Sequence, residues 1–187
     1  MRIAVPAETD ANESRVAATP ETVKKLIGLG ASVAVQAGAG KASGLPDSDY
    51  QAAGAQILAN GHAVITDADI VLHVRRPKAQ DLSGLKKGAA VLAMMDPYGN
   101  EAAIGVMALA GTLAFAMELM PRITRAQVMD ILSSQANLAG YRAVIDGAAE
   151  YGRSMPMMMT AAGTVPAARV FIMGVGVAGL QLGRALV

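Results

Sequence analysis

Short apolar, β-branched runs alternate with amphipathic stretches over the first two thirds of the chain. Residues 2–6 form such a run and predict a buried strand. After a turn-rich stretch, Thr19-Pro20-Glu21 opens a helix. Thr caps free amides, Pro suits the first turn and Glu complements the positive end of the dipole. Val23, Leu26 and Ile27 give that helix an apolar face, Gly28 and Gly30 end it, and residues 31–36 predict a second strand. The same alternation predicts a helix over 47–58 and a strand over 68–74 that runs into Arg75-Arg76-Pro77. A strand over 89–94, a buried helix over 101–110, a turn at Gly111 and a buried strand over 112–117 follow. Strands apolar on both faces and alternating with helices predict an α/β fold, with a parallel sheet covered on both sides.

The pattern then changes. A helix much longer than any before it is predicted from about Thr124 to about Tyr151. On a helical wheel Gln127, Asp130, Ser133, Ser134 and Asn137 fall within one arc of about 120°. Val128, Ile131, Leu132 and Leu138 fall on another side, which can be buried. Arg122 and Arg125 stand at the start of this helix, where the dipole gives them nothing; periodicity alone leaves open an ordinary solvated face with surface arginines or a nearby anion or charged partner. An uncharged stretch over 155–168 follows, in which Met157-Met158-Met159 reads as adaptable packing at a domain junction. The divisions expected are an N-terminal α/β domain (1–123), a connecting helix (124–152) and the opening of a second domain (153–187).

That opening carries the most specific chemistry. A strand predicted over 169–173 enters Gly174-Val-Gly-Val-Ala-Gly179, and a helix over 180–187 follows. G-x-G-x-x-G between a strand and a helix is the context the dinucleotide motif requires. Gly174 allows the tight turn, Gly176 lets backbone approach a pyrophosphate, and Gly179 lets helix and strand pack closely. The amides around Val177 face the phosphates from a helix N-terminus. The acidic ribose ligand of such a site falls about 20 residues further on. This stretch therefore reads as the first βα unit of a nucleotide domain, with unpaired strand edges, weak or no dinucleotide binding by itself, and a parent protein that is longer.

Composition narrows the rest. The chain has 187 residues, 53% hydrophobic and 17% charged, which excludes disorder as the dominant state. Aromatics are 3%, so the core must be Ala, Val, Leu, Ile and Met. A formal net charge of +1 gives no electrostatic reason to expect nucleic acid. Without cysteine there is no disulfide, thiolate site or cysteine nucleophile, and His62 and His73 alone do not suggest a metal site. The longest uncharged run, 102–117, is shorter than the about 20 residues a membrane span needs. His62, in a polar turn, and His73, in a strand, read as satisfied or solvated. Arg75, Arg76, Lys78, Lys86 and Lys87 read as a solvated basic cluster around Asp81.

Three blocks carry a resemblance. The run from Glu118 through Pro121-Arg122-Ile123-Thr124-Arg125-Ala126-Gln127 to Asp146 resembles the signature helix of the proton-translocating NAD(P) transhydrogenase alpha subunits. The run from Pro156 to Arg169 and the glycine motif resemble that family's entry into its NAD domain. The block from Glu13 to Glu21 is similar to one shared by transhydrogenases and alanine dehydrogenases. The resemblance covers the whole chain. It implies a Rossmann-like α/β domain, a long connecting helix and the start of a second Rossmann domain, in a dimer. It also implies direct hydride transfer between NAD(H) here and NADP(H) on a partner domain, coupled to proton movement by membrane partner subunits. The chain would lie on the cytoplasmic face of the inner membrane without inserting. Carried over residue by residue, it implies that Arg122, Gln127 and Asp130 lie beside the nicotinamide, with Ile123, Thr124, Arg125 and Ser133 completing that end. Arg122 and Ser133 would hold the nicotinamide end, Gln127 would face the second nucleotide, and Asp130 would anchor the arginine loop or the carboxamide. Gly174, Gly176, Val177 and Gly179 would hold the phosphates, and no metal is implied.

Direct transfer between two nicotinamides needs no general acid or base, only positioning at about 3–3.5 Å and exclusion of water. A polar stripe without a catalytic histidine suits that task. An alanine-dehydrogenase-like oxidoreductase is the rival. Its substrate arginine matches Arg15, but its lysine is Arg75 here and its catalytic histidine falls near Met94-Met95-Asp96, where this chain has none. Arg15 is therefore expected to be structural. A third reading is a truncated, non-catalytic chain with a structural or dimer-forming role.

Overall fold

The computed structural model describes residues 1–186 and divides into two compact units, 1–120 and the remainder from Pro121. In the first unit six strands form one wholly parallel sheet: β1 (Arg2–Val5), β2 (Ser32–Gln36), β3 (Gln56–Leu58), β4 (Ile70–Arg75), β5 (Ala90–Met94) and β6 (Leu113–Ala116). Their order is β3-β2-β1-β4-β5-β6, which is the doubly wound arrangement, with its switch point between β1 and β4.

Alternation along the strands builds a core on each face. Ile3, Val5, Val33 and Val35 pack with Val23 of α1 (Pro20–Gly28) and Tyr50 of α2 (Asp47–Ala52). Ala4, Ala34, Val71, Val91 and Ala93 pack on the opposite face. There they meet Val64 and Ile65 of α3 (Gly61–Ile65) and Met107 of α4 (Glu101–Leu109). The Thr19 cap of α1 is as expected, its hydroxyl accepting the Thr22 N–H. Tyr50, fully buried, donates its hydroxyl to the Ala18 carbonyl at 2.8 Å.

Several expectations are corrected. The helix predicted over 47–58 stops at Ala52, because Gly54 turns with φ +95° and Gln56–Leu58 pairs with β2. His62 lies in α3, not in a turn, and its Nδ1 donates to the Ser83 carbonyl at 2.9 Å. The helix and strand of 101–117 are only partly buried: Met107 packs in the core, but much of the remainder is exposed. Leu109 is 90% exposed, and Leu113 and Phe115 stand out from β6, the edge strand of the sheet.

The second unit holds a 3₁₀ helix (Thr124–Met129), α5 (Ile131–Tyr151), an antiparallel hairpin of β7 (Met158–Thr160) and β8 (Gly163–Val165), and α6 (Val177–Ala185). The single helix predicted from Thr124 is therefore broken at Asp130, whose extended backbone and side-chain cap start α5. Of the side chains expected to be buried there, Val128 and Leu138 are exposed, and Ile131 and Leu132 half-buried. The three methionines 157–159 are exposed on and before the hairpin rather than packed. Residues 169–173 form no strand, since no described segment pairs with them, and Phe171 and Met173 are exposed. The end of the helix predicted to Val187 lies outside the described residues. Among these, no helix is long and apolar enough to cross a membrane.

Candidate functional site

The sequence-predicted residues of the second unit form two groups, held by α5 and α6. At the head of α5, Asp130 is the N-cap: its Oδ1 accepts the Ser133 N–H at 2.9 Å and its Oδ2 accepts the Ser133 hydroxyl at 2.6 Å. A shared carboxylate thus fixes the Ser133 rotamer and satisfies a first-turn amide that the helix leaves open. The Ser133 hydroxyl, its N–H and the charge of Arg122 hold the Asp130 carboxyl below its ordinary value. Asp130 and Ser133 are therefore brought together by two hydrogen bonds, while Arg122 reaches Asp130 only through its charge. Gln127 contributes its carbonyl to the Asp130 N–H at 3.2 Å, while its side chain is exposed. Ile123 (58% exposed), Thr124 and Arg125 lie on the surface of the same turn around the buried Ala126.

The glycine motif forms the second group, and its three glycines answer to three different constraints. Gly174 has φ +109°, a conformation that side chains with a Cβ rarely adopt. A Cβ on Gly179 would collide with the Gly174 carbonyl oxygen and come within 3.0 Å of its carbonyl carbon. A Cβ on Gly176 would meet no protein atom within 4 Å. Gly176 is also the N-cap of α6, with no side chain to cap it, and Val177 begins the helix. The open space at Gly176 and the uncapped first-turn amides fit an approaching anion.

The first unit has a cleft of about 710 Å³ where β1, β4, β5 and β6 end, lined by Glu8, Thr9, His73, Arg75, Asp96 and Glu118 among others. This is the crevice at the topological switch point, where open α/β sheets take ligands. Several of its polar residues are tied to one another, and Arg75 is tied to Glu13 outside the lining. Glu13 binds Arg15 at 2.6 Å from both Nε and Nη2, and Arg75 Nε at 3.0 Å. The bond from Arg15 holds the Glu13 carboxyl down to about 2 despite burial, and Arg75 adds to this. Burial pushes the Glu8 carboxyl up, but the His73 ring at 3.1 Å and the N–H groups of Val74 and Arg75 outweigh it. Glu118 accepts the N–H groups of Met95 and Asp96, while Arg76 donates to the carbonyls of the same two residues. Asp96, at φ +44°, is fixed from both sides.

The basic cluster read around Asp81 is largely solvent-exposed, and the Lys78 N–H donates to Asp81 at 3.1 Å, but three of its members have specific partners elsewhere. Arg75 goes to Glu13, Arg76 to carbonyls and Lys86 to Asp69 at 2.5 Å. Sequence reasoning missed the pairing of Glu8 with His73 and the Glu118 clamp. Their sequence signal is weak, because the partners lie 65 and 22 to 23 residues apart. Among the described residues no group of His, Asp and Glu is placed to hold a metal ion.

Comparison with known proteins agrees with this architecture. Residues 4–139 match the family model "Alanine dehydrogenase/PNT, N-terminal domain", and residues 143–185 match "Alanine dehydrogenase/PNT, C-terminal domain". A NAD(P) transhydrogenase alpha-subunit protein of Rhodospirillum rubrum is 50% identical over 186 residues, covering 97% of this chain and 48% of that protein. Alanine dehydrogenase of Mycobacterium tuberculosis is 33% identical over 187 residues, covering 98% and 50%. The crystal structure of transhydrogenase from Sinorhizobium meliloti superposes with a TM-score of 0.95 at 60% identity, covering all of this chain and 53% of that one. The chain spans about half the length of these curated relatives. Two family models over nearly its whole length, and relatives on both branches, show that the chain belongs to the alanine dehydrogenase/PNT family.

Proposed function

We propose that this chain supplies part of the NAD(H) site of a proton-translocating NAD(P) transhydrogenase. The observation that carries this reading is the division of labour in the glycine motif. Gly174 is required by its backbone angle and Gly179 by a close approach, but no described residue demands a glycine at Gly176. A phosphate seated against bare backbone does demand one. The transhydrogenase alpha subunits among the relatives support the same reading.

In this reading the N–H groups around Val177 and the backbone of Gly174, Gly176 and Gly179 hold the pyrophosphate at the head of α6. Arg122 and Ser133 hold the nicotinamide end, and Ile123, Thr124 and Arg125 complete its wall. Asp130 keeps the Ser133 hydroxyl in one rotamer and holds the Arg122 loop by its charge. Gln127, exposed on the 3₁₀ turn, faces the second nucleotide. NAD(H), when bound, supplies a nicotinamide carbon that gives or accepts a hydride directly. None of these side chains has to move a proton. Their work is to orient a ring to within about 3–3.5 Å of its partner and to exclude water.

The NADP(H) domain and the membrane subunits that couple hydride transfer to proton movement are partners in this reading. The chain is then held at the cytoplasmic face of the inner membrane, in a homodimer, without inserting. Calorimetric titration of NADH into the full-length subunit, with NADPH and pyruvate as controls, tests it. NADH alone should bind, and Gly176→Ala should abolish the heat without changing the melting temperature. Equal binding of NADPH, or an unaffected Gly176→Ala, would overturn the reading.

A further inference from the structure

Helix α6 lies against the backbone of α5 at Gly140. It is the buried residue of α5, and a Cβ there would run into the Ala178 carbonyl oxygen and reach 3.0 Å from its carbonyl carbon and Cα. The obstacle is backbone, so no rotamer change relieves it. Ala178 lies inside the glycine motif, between Val177 and Gly179. Gly147, seven residues further along α5, has nothing within 4 Å of its Cβ position. The requirement for glycine on this stripe is therefore confined to the contact of Gly140 with the Ala178 backbone.

Ser133 lies seven residues before Gly140, two turns away, so it shares that face of α5 and stands about 10 Å along the axis. One rigid helix thus carries the Asp130–Ser133 pair at its head and the seat of the phosphate loop two turns on. We infer that Gly140 is a positioning residue. By letting α6 sit directly on the α5 backbone, it sets the separation between the phosphate loop and Ser133, and so decides where the nicotinamide half of a bound dinucleotide lies, without touching it. This rests on the nucleotide-binding reading above.

The test compares two ligands on the full-length subunit. NADH spans both groups, whereas ADP engages only the phosphate loop and what moves with it. Gly140→Ala should weaken NADH about tenfold or more and leave ADP within twofold. Gly147→Ala, the same change on the same helix, should leave both unchanged. In a Ser133→Ala background, adding Gly140→Ala should cost NADH little more, because the contact it misplaces is already gone. Unchanged NADH affinity in Gly140→Ala would overturn the inference. So would parallel loss of NADH, ADP and melting temperature, which is the signature of a packing residue. Failure of the unmodified protein to bind NADH would instead remove the nucleotide-binding reading itself, and this inference with it.

Discussion

The Ser133 hydroxyl donates to Asp130 Oδ2 at 2.6 Å while the Ser133 N–H donates to Oδ1 at 2.9 Å, so one carboxylate both caps α5 and fixes a candidate ligand-binding hydroxyl. The two roles separate on substitution. Asn caps a helix about as well as Asp, so Asp130→Asn should melt within a degree or two of the parent. It removes the charge beside Arg122, and NADH affinity should fall about tenfold. Asp130→Ala should lose the cap as well and melt a few degrees lower. Thermal melts alongside NADH titrations check this. Equal NADH affinity in parent and Asp130→Asn would leave the carboxylate a structural cap only.

The three glycines predict three different phenotypes. Gly174→Ala forces a Cβ into φ +109° and should cost about 1–3 kcal/mol of local stability together with nucleotide affinity. Gly179→Ala drives a Cβ into the Gly174 carbonyl and should disrupt the turn in the same way. Gly176→Ala has open space and should leave stability unchanged. Melting temperatures of the three variants decide the matter, since a destabilised Gly176→Ala would mean the space around it is not open.

Much of this arrangement is legible in the sequence because the relevant signals are local. The strands of the first unit announce themselves as short apolar runs, and Thr19 announces the first helix by its capping chemistry. The three-residue strand Gln56–Leu58 is too short to outweigh the helical pattern before it. Asp130 misleads for a different reason. Its polar side chain continues the helical stripe from Gln127 to Asn137, yet Asp is also a favoured N-cap residue and so a signal of a helix start. The Glu8–His73 pair and the Glu118 clamp join residues far apart in sequence, and no local pattern encodes which carboxylate reaches which loop. The exposed face of the hairpin stays hidden because Met158, Met159 and Val165 are apolar whether packed or not.

Glu13 gives the first unit a defined acid sensitivity. Its carboxyl is held at about 2 in the folded chain, below the roughly 4.3 of an unfolded glutamate. A depressed carboxyl contributes stability that is complete above about pH 4.3 and is lost as the pH falls toward 2. The contribution is on the order of 2 kcal/mol, since Arg15 and Arg75 are partly screened by solvent. Urea denaturation should show Glu13→Gln less stable than the parent at pH 7. The gap should narrow between pH 4 and pH 2, and a gap independent of pH would show that Glu13 acts by packing or neutral hydrogen bonds.

The cleft of the first unit separates the two branches of the family. Reducing an imino acid with NADH requires a proton donor within hydrogen-bond reach of the substrate nitrogen. The end of β5 offers Met94, Met95 and Asp96 instead of a histidine, and Asp96 shares an oxygen with the Asn100 amide at 3.3 Å. His73 is the histidine that lines the cleft, but it is buried and its Nδ1 is committed to Glu8. Arg15, which matches the rival's substrate arginine, and Arg75, which stands in place of its lysine, already share Glu13. Pyruvate and ammonium should therefore not raise NADH oxidation by the full-length subunit above background. Hydride transfer from NADPH to NAD+ should appear once the NADP(H)-binding partner is added. Pyruvate-dependent turnover would show that the cleft finds its proton elsewhere and would move the chain to the alanine dehydrogenase branch. Exchange without such turnover would place its chemistry between two nicotinamides.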